Sequence, residues 1–241
     1  MFRRSMFVGN IELIKQAGFD SVMIGWRDGD RIEKVEKARN AGLFVENIHA
    51  PTYNSDDFWS DNLNGENYME CLLTCVEDCK KYNIPTVVAH ISYHNTPPPN
   101  NIGIQRFKRI AKKAEQNNIN IALENTGTAE HIHYIFNNIP SEKLGFCFDS
   151  GHQVFTPDID FLELFGNRLM AMHLNDNDGK EDLHLLPFDG IVDWKKTTHQ
   201  LKCIQYKGAI AFEVSEDKYT PETFCAQVFN RANRLLDMIN I

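Results

Sequence analysis

Seven short apolar runs punctuate the chain: SVMIGW (21–26), LFVENI (43–48), TVVAHI (86–91), INIALE (119–124), LGFCFD (144–149), RLMAMHL (168–174) and GAIAFEV (208–214). Each is nearly continuous in apolar residues rather than alternating, as expected of parallel strands covered on both faces. Longer amphipathic segments lie between them, and residues 67–83, 102–118 and 221–239 predict helices. The last begins with Thr220 as expected N-cap and Pro221 at the first helical position. Strands alternating with helices over 241 residues predict one (β/α)8 TIM barrel spanning residues 1–241, with MFRRSMF (1–7) as a short, degenerate first strand carrying two arginines. Periodicity does not separate a closed barrel from a doubly wound open sheet, so the open sheet stands as the structural alternative. The proline cluster NTPPPNN (95–101) is too short to join domains and reads as a loop.

From the third strand onward, every strand ends in a residue able to bind a metal: His49, His90, Glu124, Asp149, His173 and Glu213. The gaps of 41, 34, 25, 24 and 40 residues each span about one βα unit. In a parallel barrel the carboxyl ends of all strands meet at one face, so these side chains are expected to converge on one mouth. His152, Asp182 and His184 in the following loops raise the set to nine. Any one of them alone reads as a helix cap or a hydrogen-bonded strand end. Six in consecutive strands do not, because unpaired charges in a narrow mouth are costly without a cation. Imidazole and carboxylate donors suit zinc, manganese or cobalt, with one to three ions per chain. Cys147 falls on the same strand face as Asp149, two residues deeper, and reads as a packed residue.

Composition narrows the field of partners. A formal charge of −8 and a pI near 5.6 disfavour nucleic acid and anionic membranes. The N-terminal residues lack the apolar core of a signal peptide, no run is long enough to span a membrane, and a soluble cytoplasmic protein is expected. Six cysteines are too few and scattered for a disulfide scaffold; Cys71, Cys75 and Cys79 form a helical stripe facing a core. Asp176, Asp178 and Glu181 are expected to face water, and Asp56, Asp57 and Asp61 to form a solvated loop. His94, His131, His133 and His199 lie off the strand ends. Phe58 and Trp59 are expected to be exposed, as an interface in a homo-oligomer or a substrate lid.

The motifs HAP, AH, ALEN, FDSGH, HLNDND, DLHLLP and FEV, in this order over about residues 10–240, resemble the xylose isomerase-like barrel superfamily. That superfamily contains sugar and sugar-phosphate isomerases and epimerases as well as the abasic-site nucleases called endonuclease IV. The resemblance implies an ion held by Glu124, Asp149, His173 and Glu213. It implies Glu124 and Glu213 as acid and base, with His152 on a substrate hydroxyl. On the endonuclease IV pattern, His49 and His90 with Glu124 would hold a further ion, and His152, Asp182 and His184 another. Many isomerase-like members carry PGEG where this chain reads PFDG (187–190), which bears on the loop that brings His184 inward. Three functions follow as expectations: a metal-dependent isomerase or epimerase of a small carbohydrate, an endonuclease IV-like phosphodiesterase, or a barrel that binds sugar or metal without catalysis.

Overall fold

The computed structural model describes residues 2–26, 29–93, 95–215 and 219–240; His94 lies outside them. Eight parallel strands run β1 (Arg4–Phe7), β2 (Ser21–Gly25), β3 (Phe44–His49), β4 (Thr86–Ala89), β5 (Asn120–Glu124), β6 (Leu144–Asp149), β7 (Leu169–His173) and β8 (Ile210–Phe212). Helices α1 (Ile11–Ala17), α2 (Arg31–Asn40), α3 (Leu63–Lys81), α4 (Asn101–Asn117) and α5 (Ala129–Asn138) follow β1 to β5 in turn. Helices α6 (Ser150–Val154) and α7 (Phe161–Phe165) follow β6, α8 (Trp194–Cys203) follows β7, and α9 (Pro221–Asn240) follows β8.

Neighbouring strands pair in the order β7-β6-β5-β4-β3-β2-β1-β8. The two ends meet through a parallel bridge between Leu174 and Phe212, where Leu174 N donates to Ala211 O at 2.8 Å and Glu213 N to Leu174 O at 3.3 Å. The sheet therefore closes as a barrel and the open alternative falls. The first strand exists, short as expected. Its Arg4 is held at the barrel wall by Asn233 (2.9 Å) and by the ring of Phe229 beneath its guanidinium.

Alternation along the strands sorts the side chains. Leu144, Phe146 and Phe148 of β6, Ile121 and Leu123 of β5, and Ile210 and Phe212 of β8 join the large core between strands and helices. The intervening positions form small clusters: Val88, Ala122, Cys147 and Ala171 in one, Met23, Ala209 and Ala211 in another. Small residues thus occupy the barrel interior two positions below His90, Glu124, Asp149, His173 and Glu213. That leaves room for the polar tips to approach one another.

The long β3–α3 connection departs from expectation. Phe58 and Trp59 are fully buried, at 0% and 1% exposure, and neither is a lid nor an exposed interface. The buried Arg106 guanidinium accounts for this by donating to Phe58 O (2.7 Å), Ser60 O (2.6 Å) and Asn62 O (3.3 Å), which ties the loop onto α4. Trp59 Nε1 donates to Ile91 O at 2.7 Å. Asp56 and Asp57 are hydrogen-bonded rather than merely solvated, Asp56 to Asn95 N and Thr96 and Asp57 to Asn62 and Asn64, while Asp61 is exposed. Cys75 and Cys79 face the core as expected, with Cys71 half-buried at the edge of the stripe.

Gly103 lies against this anchor: a Cβ there would overlap the Trp59 indole. Alanine normally gains about 1 kcal/mol over glycine inside a helix. Overpacking against a ring already fixed by its hydrogen bond costs more. Gly103→Ala is expected to lose about 2 kcal/mol net, read as a lower urea midpoint at unchanged slope.

Candidate metal centre

Six of the expected residues come from successive strand ends. His49 closes β3, Glu124 closes β5, Asp149 closes β6 and His173 closes β7, while His90 and Glu213 sit one residue beyond β4 and β8. Glu124, Asp149, His173 and Glu213 each place a donor atom within 4.8 Å of the other three. His173 Nδ1 is 2.8 Å from Glu213 Oε2 and 3.2 Å from Glu124 Oε2. Three overlapping groups meet the same spacing: His49 with His90 and Glu124, His49 with His173 and Glu213, and Glu124 with Cys147 and His173. Asp182 Oδ2 lies between His152 Nε2 (3.3 Å) and His184 Nε2 (3.2 Å), and among the described residues these three do not form a group of that spacing.

Glu124, Asp149 and His173 are at most 1% exposed, whereas the Glu213 side chain is 23% exposed. Burial raises Asp149 to about 6, because a carboxylate out of water is disfavoured. Burial works equally against the His173 imidazolium, yet Cys147, Glu124 and Glu213 hold its pKa well above the histidine range. Glu213, opposed by burial, is drawn down to about 2 chiefly by His173. His152 is pushed up to about 12 against burial by Asp149, Asp182 and Glu124.

These donors fit a divalent ion. His90 Nε2, Glu124 Oε1, His152 Nδ1 and both ring nitrogens of His173 are buried without a hydrogen-bond partner. They crowd one another at 3.2–3.4 Å without hydrogen-bond geometry, as atoms aimed at a common point do. Three carboxyl groups facing that point supply the negative charge a dication would neutralise, a task the imidazole protons perform in this arrangement.

The surroundings fix the donors. Asn125 clamps the Asp149 backbone, accepting from its N–H at 2.7 Å and donating to its carbonyl at 2.8 Å. Asp149 Oδ2 accepts from Asn175 Nδ2 (2.8 Å) and Oδ1 from His152 N (2.7 Å), so Asp149 also caps α6. His49 Nδ1 meets Ala50 O at 2.8 Å and His184 Nδ1 meets Glu213 O at 2.9 Å, which orients each ring's Nε2 toward its carboxylate. The Asn residues of ALEN and HLND stand directly after Glu124 and Leu174 in motifs visible in the chain, but nothing in a lone sequence distinguishes a clamp from a ligand.

The loop 174–193 overturns one expectation. Asp178 and Glu181 are exposed, but Asp176 is wholly buried. Its carboxyl group accepts from Asn177 N (3.0 Å), Phe188 N (2.9 Å), Val192 N (2.9 Å) and Trp194 Nε1 (2.8 Å), folding the loop around itself. Within that loop His184 and Phe188 take left-handed backbone, at φ 48° and 76°. Phe188 stands where PGEG has glycine, and the conformation costs about 1 kcal/mol or more for a non-glycine residue. Packing offsets it: the Phe188 ring lies 5.6 Å from Trp194 and carries the Arg234 guanidinium at 3.6 Å.

Above the donors opens a cavity of about 350 Å³, whose walls include Phe7, Trp26 and Tyr93 as well as His49, His90, His152, Asp182, His184 and Glu213. Phe7 sits 5.7 Å from the His173 ring and 6.1 Å from His49. The sequence marked none of these three aromatics; alternation with Ser5 on β1 is the signal that places Phe7 inward. His131, His133 and His199 stay away from the cavity, with His131 Nε2 donating to Pro97 O at 2.9 Å.

Residues 11–233 match the family model described as xylose isomerase-like TIM barrel. The uncharacterized protein y4fM of Sinorhizobium fredii is 37% identical over 121 residues, 47% of this chain and 39% of that protein. The uncharacterized protein MJ1311 of Methanocaldococcus jannaschii is 27% identical over 163 residues, 60% of this chain and 56% of that protein. The matched stretches thus span less than two thirds of either curated relative. Among solved structures, a D-tagatose 3-epimerase-like protein superimposes with a TM-score of 0.81 at 22% identity, covering 98% of each chain. An L-ribulose 3-epimerase does so with 0.75 at 14%, covering 100% of this chain and 95% of that one. The 3-keto-D-glucoside 4-epimerase YcjR of E. coli gives 0.74 at 17%, covering 98% and 100%. At these identities the likeness is one of fold. Among the described residues no helix is long and apolar enough to cross a membrane.

Proposed function

The chain belongs to the xylose isomerase-like TIM barrel family, and from that premise we propose that it is a divalent-metal-dependent isomerase or epimerase of a sugar or sugar phosphate. The observation that carries this reading is the group Glu124, Asp149, His173 and Glu213, gathered within 4.8 Å beneath a cavity of about 350 Å³. That volume lies at the small end of ligand sites, roughly 300–1,000 Å³, and suits a monosaccharide better than a duplex. The sugar epimerases among the fold neighbours agree with it.

An ion held by these four residues would supply Lewis acidity to a substrate carbonyl and its neighbouring hydroxyl. The chain's own residues do the rest. One of the two glutamates takes the proton from the hydroxyl-bearing carbon beside the carbonyl and the other returns one. Glu213, open to the cavity, and Glu124, at its floor, approach from different strands, β8 and β5. His152, held by Asp182, donates to a substrate hydroxyl, and Phe7 and Trp26 keep water from that side of the cavity. A screen of ketohexoses, pentoses and their phosphates with manganese, cobalt or zinc is expected to find turnover. None on any of them, with folded and metal-loaded protein, overturns the proposal.

The His49–His90–Glu124 group favours a second reading, a multi-zinc phosphodiesterase resembling endonuclease IV. The small cavity and the net charge of −8 count against it. Elemental analysis of gently purified protein is expected to give about one ion per chain, removable by EDTA with loss of turnover. Two or three zinc ions together with cleavage of a duplex bearing one abasic site would reverse the ranking.

A further inference from the structure

We propose that the reacting cavity continues into a second subsite that holds another sugar ring, so that the substrate is a carbohydrate unit carried on a glycosidic partner. This inference rests on the isomerase or epimerase reading. A cavity of about 660 Å³ adjoins the reacting one and shares Tyr93, His152 and Asp182 with it. The reacting cavity alone accommodates a monosaccharide, and the second is nearly twice its size, so a single ring leaves most of the joined space unfilled.

The wall chemistry suits a neutral ring. Phe155, at the end of α6, is 40% exposed, and Tyr93, between β4 and α4, is 42% exposed, so two large aromatic surfaces border one hollow. Thr126 and Thr156 add hydroxyl groups beside them. A pyranose has an apolar C–H face and a rim of hydroxyls, and aromatic faces flanked by hydroxyls complement both. A phosphate is less well served. Among the described lining residues Lys180 is the only lysine or arginine, it adjoins Glu181 in the chain, and none of them forms a bidentate clamp.

The test uses manganese-loaded protein. Turnover of fructose, tagatose and sorbose is compared with that of isomaltulose, turanose and lactulose, in which a ketose carries a second ring, and with that of the ketose 6-phosphates. At least one disaccharide is expected to exceed its free ketose about tenfold in kcat/KM. Phe155→Ala is expected to bring that ratio toward one, whereas Phe155→Trp, which keeps an aromatic face, preserves it. Preference for the free ketose overturns the subsite while sparing the reaction, as does a preference for its phosphate that Lys180→Ala removes. If nothing turns over, calorimetric titration with the same disaccharides separates the two claims. Millimolar or tighter binding weakened by Phe155→Ala retains the subsite and rejects the reaction, and absence of binding overturns the subsite.

Discussion

Glu213→Gln is expected to lower kcat by about three orders of magnitude or more while the protein stays folded and keeps most of its metal. Glutamine keeps the shape and one oxygen donor of glutamate, so a site whose other donors are Glu124, Asp149 and His173 still offers an ion most of its contacts. What glutamine lacks is the capacity to take or return a proton. The Glu213 carboxyl group is drawn down to about 2 by His173, although burial opposes this, so it is ionised across the neutral range. General acid–base groups contribute about 10²–10⁴-fold, and a residue proposed to hold the ion as well belongs at the upper end. The measurement pairs turnover with metal content and thermal unfolding. Turnover within about tenfold of wild type at full metal loading removes Glu213 from the proton transfer. Turnover lost together with the metal assigns it to ligation alone.

The second large effect is on stability. Asp176→Ala is expected to cost about 3–5 kcal/mol, because it strands three backbone N–H groups and the Trp194 indole N–H in a site with no exposure. An orphaned buried donor costs about 1–3 kcal/mol, and the loop can relax around some of the four but not all, since a Cβ-free Gly190 already packs against Asp176 and Asn177. Denaturant unfolding checks the magnitude. The loop 174–193 also carries Asp182 and His184, so variant protein that remains folded at low temperature is expected to bind substrate more weakly. A cost below about 1 kcal/mol refutes the view that Asp176 is the hub of this loop.

The nearly unbroken apolar runs read as strands because both faces of a barrel strand are buried, one against helices and one in the interior. Their boundaries were legible to within three residues; LGFCFD matched β6 residue for residue, and GAIAFEV overran β8, which ends at Phe212. Donor-bearing residues at the strand ends were legible too, because the carboxyl ends of parallel strands share one face whatever the loops do. Asp176 was misread as solvated because an aspartate in a run of polar residues looks the same whether water or four N–H groups surround it. Phe58 and Trp59 were misread for the complementary reason: a short aromatic pair in a polar connection shows no period, and Arg106, over forty residues away in the chain, is what buries them.

The chain alone therefore determined the alternation of strands and helices, the parallel class they favour and the identity of the residues at the mouth, all set by local periodicity and by spacing of about one βα unit. Tertiary structure decided which of the nine donors share one point, that Asn125 and Asn175 brace Asp149, that Phe188 occupies left-handed backbone beside Arg234, and that two cavities meet at His152. Those facts depend on distances across the closed barrel and on packing between loops remote in sequence, and no pattern of neighbouring residues encodes them.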